Sequence, residues 1–414
     1  MAPGHEMKKA LTKPLKTPML CAERLRNRWH PQRVVLISPY APTIVSFRGT
    51  LIRDLVAHGV QVFVLAPDYT PEMRAAVAEL GATPLDYPLN RTGMNPLQDL
   101  RTVMALVRIL RRLRPDVVLP YNIKPVIYGT LAAALVGVPQ RITLIEGLGY
   151  AFIDTPSLTL KSRLTRALIK RLYSLALRRA QTVLFLNRDD LNEFVQIGIV
   201  ERNQALLLGG IGVDLEEWPP APPTLEPITF TLAARLIREK GIVEFAEAAC
   251  RIRMRYPNTR FLLLGGLDTN PGALMQREVD AWVQQGVLEW CGHVPDVKPY
   301  LKQTSVYVLP SYYREGVPRS TQEAMAMARP VVTTDAPGCR ETVIDGVNGF
   351  LVPPRDVDAL VAAMERFILQ PDLIITMGQA SRKLAAERFD VHKINRLILQ
   401  AMGIDHNDSC SNPS

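Results

Sequence analysis

Short apolar runs alternate with longer helix-spaced segments along most of this chain, and a proline-rich stretch breaks the alternation once. Arg33–Ser38 (RVVLIS) and Val60–Ala66 (VQVFVLA) read as buried strands, and Leu51–His58 between them reads as a helix stopped at Gly59. The pattern continues through helices Glu72–Leu80 and Leu97–Leu113, strand Val117–Leu119, helix Val126–Val136, strand Arg141–Ile145, helix Leu158–Arg179 and strand Thr182–Leu186. Trp218–Pro227 (WPPAPPTLEP) then reads as a linker. Beyond it the spacing predicts strands Ile228–Ala233, Phe261–Leu264, Val287–Trp290 and Val306–Leu309, with helices Ile242–Tyr256, Leu274–Gln284, Ser320–Ala328 and Val357–Leu369. Strands that alternate with helices imply parallel sheets covered on both faces. The expected fold class is therefore α/β, with two facing Rossmann-like halves. Open α/β sheets bind ligands at the C-terminal ends of their strands, so the cleft between the halves is the expected site.

These signals divide the chain as follows. Residues 1–31 form a flexible basic arm, 32–215 the first half, 216–227 the linker and 228–385 the second half. The segment 386–404 is a C-terminal helix able to cross back to the first half, and 405–414 is a disordered tail. The chain has 414 residues and a net charge of +9, which favours anionic partners without choosing among them. The basic residues are not interleaved with aromatics as on a nucleic-acid platform, so no nucleic acid is expected. Cys21, Cys250, Cys291, Cys339 and Cys410 are far apart and form no CxxC pair, which fits a reducing compartment and argues against a disulfide framework or a zinc knuckle. No apolar run reaches the roughly 20 residues of a spanning helix, and no apolar segment follows the basic N-terminus. The expected location is cytoplasmic.

Two segments carry chemistry. In Val308–Pro330, Glu315 follows a strand, Gly316 allows close backbone approach, Pro318 opens a helix and Glu323 lies inside that helix. A helix N-terminus attracts anions, and a glutamate on the same rim can accept hydrogen bonds from vicinal hydroxyls. In Leu232–Gly241, Arg235 and Lys240 follow a strand end, where two cations can neutralise a diphosphate. Read alone, each segment also fits a plain strand–loop–helix connection or a surface pair; together they are far more specific. Asp356-Val357-Asp358 has the form of a metal-holding DxD but opens a helix, so it is read as a cap. None of the six histidines pairs with Cys, Asp or Glu at metal spacing, so no metal and no cofactor are expected. Gly292-His293 fits either a backbone approach to a nucleobase or an ordinary loop.

From about Arg33 to Gly403 the chain resembles the family 4 retaining glycosyltransferases, which have the GT-B fold. Its branch resemblance is to bacterial enzymes that extend polyprenyl-diphosphate-linked sugars, undecaprenyl diphosphate among them, for capsule, O-antigen or N-glycan precursors. The matching segments are FRGTLI (47–52), NIKPVIY (122–128), GLGYAF (147–152), SYYREGVP (311–318) and PGCRETVIDGVNGFLVP (337–353). The resemblance implies that Arg235 and Lys240 hold the donor diphosphate, that Glu323 binds its ribose and that Glu315 contacts the transferred sugar. It also implies that the backbone of Gly316, Val317 and Pro318 faces the donor. Gly49 corresponds to the first-half glycine loop, although the family's double glycine is absent. The family histidine is missing from Leu119–Lys124, where Asn122 or Lys124 lies instead. Gly147 and Gly149, with Glu146, read as acceptor-side loop residues or as a structural turn, and Arg48 and Lys124 are expected on the acceptor side, where they could meet its diphosphate.

The implied reaction retains anomeric configuration, with a donor phosphate oxygen as the base and a nucleotide-sugar, UDP and an N-acetylhexosamine favoured, as donor. The implied acceptor is a lipid-linked sugar. A 2-epimerase of the same fold or a non-catalytic anion- or membrane-binding protein are the alternatives. An anionic membrane surface is the expected third partner, at the inner face of the cell membrane. Thr155–Arg188 holds no acidic residue and carries Lys161, Arg163, Arg166, Lys170, Arg171, Arg178, Arg179 and Arg188. At helical spacing Leu160, Leu164, Leu168, Leu172 and Leu175 share one face, expected to pack on the sheet, and Arg163, Arg166 and Lys170 another. Arg101, Arg108, Arg111 and Arg112 add cations from the helix over 97–113.

Overall fold

The computed structural model describes residues 30–91, 95–148, 160–268 and 272–404. The first half is a seven-stranded sheet of β1 (Arg33–Ile37), β2 (Gln61–Ala66), β3 (Thr83–Asp86), β4 (Val117–Pro120), β5 (Gln140–Ile145), β6 (Thr182–Phe185) and β7 (Ala205–Leu207), in the order β3-β2-β1-β4-β5-β6-β7. The second is a six-stranded sheet of β8 (Ile228–Ala233), β9 (Thr259–Leu264), β10 (Glu289–Trp290), β11 (Val306–Leu309), β12 (Val331–Thr334) and β13 (Gly349–Val352), in the order β10-β9-β8-β11-β12-β13. Neighbouring strands pair in parallel throughout both sheets. The central strands are continuously apolar because helices cover both faces: Val34, Val35, Leu36 and Ile37 of β1 are fully buried. Each sheet has its own core, one around Val35, Leu65, Val118 and Phe185 and one around Phe230, Leu263, Tyr307 and Val332.

The chain returns to the first half at its end. Val213 pairs with the segment before the last helix, its N–H donating to Phe389 O at 2.8 Å and its carbonyl accepting from Val391 N at 3.1 Å. In that helix, Val391–Met402, Asn395 Nδ2 donates to Asp54 Oδ2 at 2.7 Å on the helix Thr43–Ala57.

Several elements differ from the expected ones for definable reasons. The first helix runs over Thr43–Ala57, starting eight residues before Leu51. Its inward positions are Ile44, Arg48, Leu51, Ile52 and Leu55, and an arginine at an inward position hides the apolar spacing. Gly49 therefore sits mid-helix, where an added Cβ would meet Leu80 at 3.7 Å; it is not in a loop, which corrects its placement in a glycine loop facing the donor. Strands β3, β7, β12 and β13 and the helix Arg188–Gln196 were not expected from the sequence. The expected strand over Val287–Trp290 shortens to Glu289–Trp290. The helix Leu160–Leu177 buries Tyr173, Ala176 and Leu177, while Leu168 and Leu175 are about half exposed. Of the leucine series, Leu172 packs against the first-half core and Leu168 and Leu175 do not. The side chains of Leu160, Leu164, Lys161, Arg163 and Arg166 are not described, and the arm 1–29 and the tail 405–414 lie outside the described residues.

Candidate active site

The second-half residues are gathered by two glycine turns. Gly265 (φ 144°) brings the end of β9 so close to β8 that a Cβ would lie 1.8 Å from Ala234 O. Gly241 (φ 76°) caps the short 3-10 turn Arg238–Lys240, and its missing Cβ would meet Pro310 O at 2.2 Å. Those contacts press Lys240 against the loop after β11. Tyr312 N and Tyr313 N both donate to Glu239 O, at 2.9 and 3.0 Å. Lys240 Nζ pairs with Glu315 Oε1, which also accepts from Ser311 Oγ at 2.9 Å, and lies 5.4 Å from the Tyr313 ring centroid. Glu315 is buried, 8% exposed. Arg235, by contrast, is half exposed and pairs with Asp268 at 3.1 Å. Burial pushes the Tyr313 hydroxyl up, and the Arg235 guanidinium beside it pulls it down.

Pro318 precedes the helix Arg319–Ala326, in which Glu323 is paired with Arg319 Nε at 2.8 Å. Burial pushes the Glu323 carboxyl above its usual range, against the pull of Arg319. Glu323 lines a cavity of about 470 Å³ together with Phe47, Arg53, Trp218, Lys298 and Arg319. Arg319 also stacks on Phe47 of the first half, 4.9 Å from the ring centroid. Lys240 and Glu315 are not part of that lining. Gly292 (φ 67°) accepts from Gly265 N at 2.8 Å, and the His293 Cβ would stand 3.3 Å from a Cβ on Gly266, so this pair packs on the turn after β9.

The two halves touch through backbone. A Cβ on Gly147 (φ 112°), just past β5, would lie 2.7 Å from Gly316 N, and one on Gly316 would lie 2.6 Å from Glu146 O. Gly316 thus makes room for the first-half loop. Gly338 completes the packing, since its Cβ would meet Glu315 O and Gly316 O at 2.5 Å. Asn187 Nδ2 donates to the same two carbonyls at 3.1 and 2.8 Å. Arg314 reaches Asp190 (2.8 Å) and Glu193 (2.6 Å), and Arg340 reaches Asp189 at 3.0 Å. Burial raises the Asp190 carboxyl, and the Arg314 contact opposes the rise.

Behind Gly147 lies a buried polar cluster. Arg48, 3% exposed, pairs with Glu146 and stacks on the Tyr121 ring at 4.8 Å. Asn122 Nδ2 donates to the other Glu146 oxygen at 2.5 Å from a backbone with φ 67° and ψ 160°. Burial raises the Glu146 carboxyl, with Arg48 and then Asn122 pulling it down.

Two family models cover most of the chain: the glycosyl transferase 4-like domain over residues 44–209 and the glycosyl transferases group 1 over residues 227–370. The chain belongs to the family 4-type glycosyltransferases. It is similar to the N,N'-diacetylbacillosaminyl-diphospho-undecaprenol alpha-1,3-N-acetylgalactosaminyltransferase of Campylobacter jejuni, 28% identical, with 79% of this chain and 87% of that one covered. It is also similar to an Escherichia coli UDP-Gal:alpha-D-GlcNAc-diphosphoundecaprenol alpha-1,3-galactosyltransferase, 25% identical over 72% of this chain and 77% of that one. In fold it matches a sucrose-phosphate synthase from Thermosynechococcus elongatus with a TM-score of 0.74 at 20% identity, covering 89% of this chain and 98% of that one. A second fold match is Anabaena HepE crystallised with UDP, with a TM-score of 0.70 at 17% identity, covering 90% and 99%. The two-sheet architecture is GT-B.

In this glycosyltransferase, Lys240, Glu315 and Gly316 come together at the seam between the halves, with Arg235 at the neighbouring strand end. Val317 and Pro318 continue that loop, with Val317 O accepting from Gln322 Nε2 at 3.1 Å. Two first-half cations expected to be open are engaged internally: Arg48 by Glu146, and Lys124 by Asp99 (3.1 Å) and Asn90 O (2.7 Å). Gly149 lies outside the described residues. Asn187 was missed, although its position is legible: its side chain accepts from Asp190 N at 2.8 Å, as an N-cap followed by acids does. Asp356 caps its helix by accepting from Ala359 N at 2.9 Å, and Asp358 pairs with Arg251. Among the described residues no three His, Cys, Asp or Glu side chains gather as metal ligands, and no helix is long and apolar enough to cross a membrane.

Proposed function

We propose that the protein is a retaining transferase that moves a hexose-type sugar, an N-acetylhexosamine by preference, from a UDP-sugar to a polyprenyl-diphosphate-linked sugar in bacterial surface-glycan assembly. The observation that carries this reading is the buried Lys240–Glu315 pair beside Arg235 at adjacent strand ends, opposite a first-half loop. The relatives' names point to the acceptor class. Lys240 and Arg235 hold the diphosphate, Glu315 orients the transferred sugar and Glu323 takes the ribose hydroxyls. The bond between the anomeric carbon and the diphosphate oxygen breaks, and the electron pair stays on the diphosphate. The acceptor hydroxyl oxygen bonds to the anomeric carbon from the same face, and its proton passes to a phosphate oxygen of the leaving group. The two cations favour the transition state because charge on the diphosphate grows as the bond breaks. A panel of nucleotide-sugars tested against a synthetic polyprenyl-diphosphate sugar by mass spectrometry checks this. Absence of transfer from every donor refutes it, and conversion of nucleotide-sugar alone would indicate an epimerase.

The reading includes reversible attachment to the inner face of the membrane through the first half. It is supported by the helix Pro96–Leu113, which exposes Leu97, Leu100 and Met104 at helical spacing beside exposed Arg101, Arg108, Arg111 and Arg112. Exposed Leu168, Lys170, Arg171 and Leu175 add to it. Each cation near an anionic surface contributes about 1 kcal/mol, so a few suffice for reversible binding. Co-sedimentation with anionic liposomes at low salt, lost in high salt and after reversal of Arg101, Arg108 and Arg111 to glutamate, is expected. Equal binding to neutral liposomes would refute the electrostatic part.

A further inference from the structure

Glu146 stands where the first half meets the donor loop. It follows β5, and its carbonyl is the atom that a side chain on Gly316 would strike. Tyr121 and Asn122 follow β4, which lies beside β1 where the strand order of the sheet reverses, and such switch points are where open α/β sheets take ligands. The carboxylate is held from two sides, by Arg48 on Oε1 and by Asn122 on Oε2. This arrangement makes little sense as packing. A buried ion pair seldom stabilises more than apolar residues of the same volume would. Asn122 further adopts backbone angles that belong almost wholly to glycine, and a non-glycine residue held there is strained. The strain aims one amide at one carboxylate oxygen.

A carboxylate has about four acceptor positions, and Arg48 and Asn122 take two. The Glu146 side chain keeps 13% exposure, which leaves room for another donor to reach it. Arg48 Nε is buried with no partner among the described residues, a second polar atom whose bonding the protein leaves incomplete. The second half already supplies the diphosphate cations and the sugar- and ribose-facing glutamates, so the open carboxylate positions face the other substrate. Resting on the acceptor reading above, we infer that Glu146, fixed by Arg48 and Asn122, accepts a hydrogen bond from a hydroxyl of the acceptor sugar and orients it for attack. Glu146 takes no proton: the proton still leaves to the donor phosphate. Arg48 and Asn122 are positioning residues.

Two variants separate this from a structural role. Glu146→Gln keeps the shape and loses the charge. Asn122→Gly removes the amide and relieves the strained backbone, so it is expected to melt no lower than wild type. For both, kcat/KM for the lipid-linked acceptor is measured beside UDP affinity by calorimetry and slow donor hydrolysis without acceptor. Loss of a hydrogen bond to a charged group predicts a fall of about ten- to a hundredfold in acceptor kcat/KM for Glu146→Gln. UDP affinity and donor hydrolysis should stay within about twofold of wild type. Asn122→Gly should show the same selectivity with a smaller fall. If the wild type transfers and both variants match it, or if UDP affinity falls in parallel, the inference is overturned and the function stands. If Glu146→Gln does not fold, Asn122→Gly decides alone. Failure of the wild type to transfer to any lipid-linked acceptor overturns the proposed function, and this inference with it.

Discussion

Replacing Lys240 and Arg235 singly by alanine should cost similar activity and very different stability. On the proposed reading each variant removes one charge-assisted contact to the diphosphate, which would lower turnover about ten- to a hundredfold. In the free protein the two cations differ. Lys240 and Glu315 have side chains only 14% and 10% exposed, and Lys240→Ala leaves the Glu315 carboxylate with Ser311 Oγ as its remaining side-chain donor. Stripping one partner from a buried pair costs about 3–5 kcal/mol, and the partial exposure argues for the lower end, about 3 kcal/mol. Arg235 is 54% exposed and its partner Asp268 is 13% exposed, so Arg235→Ala should cost about 1 kcal/mol or less. The double variant Lys240→Met with Glu315→Gln should recover most of the lost stability and none of the activity, since neutral groups of similar size replace the pair. Urea unfolding followed by tryptophan fluorescence reads the second half, because Trp218, Trp282 and Trp290 lie in or beside its core. Equal midpoint losses for the two alanine variants would refute the argument, as would a double variant no more stable than Lys240→Ala.

The seam between the halves makes a steric prediction. Gly147→Ala should lower both the melting point and transfer more than tenfold, because its Cβ meets Gly316 N; Gly137→Ala, with φ 81° and nothing within 4 Å, should cost about 1–2 kcal/mol of strain and spare activity, and similar effects for the two would refute the contact. Activity is expected to survive a chelator, and Asp356→Ala should cost about 1 kcal/mol of stability without changing turnover; chelator inactivation rescued by manganese would refute both. Cys339 is fully buried and its thiol is pushed up to about 12, chiefly by burial, so in the native protein at pH 8 a maleimide should label exposed Cys250 and leave Cys339 intact, as read by peptide mass spectrometry.

What the sequence determined was local. Apolar runs of strand length between helix-spaced segments placed most of the central strands, because that period is read within a few residues. Asp356 was legible as a cap because capping joins atoms three residues apart. Arg235, Lys240 and Glu315 could be put at strand ends, and Glu323 inside a helix, for the same reason. The tertiary structure alone decided the pairings. Lys240 meets Glu315 across 75 positions and Arg48 meets Glu146 across 98, and neither distance leaves a trace in local spacing. Arg48 even obscured the start of its own helix by taking an inward position that a sequence reader assigns to an apolar side chain. Read one at a time, Gly316 fits close backbone approach to a ligand and Gly147 an acceptor-side loop; that each is bare to admit the other's loop follows only from how the two sheets are set against each other. Contacts of this kind are fixed by the packing of whole layers, so no window of sequence contains them.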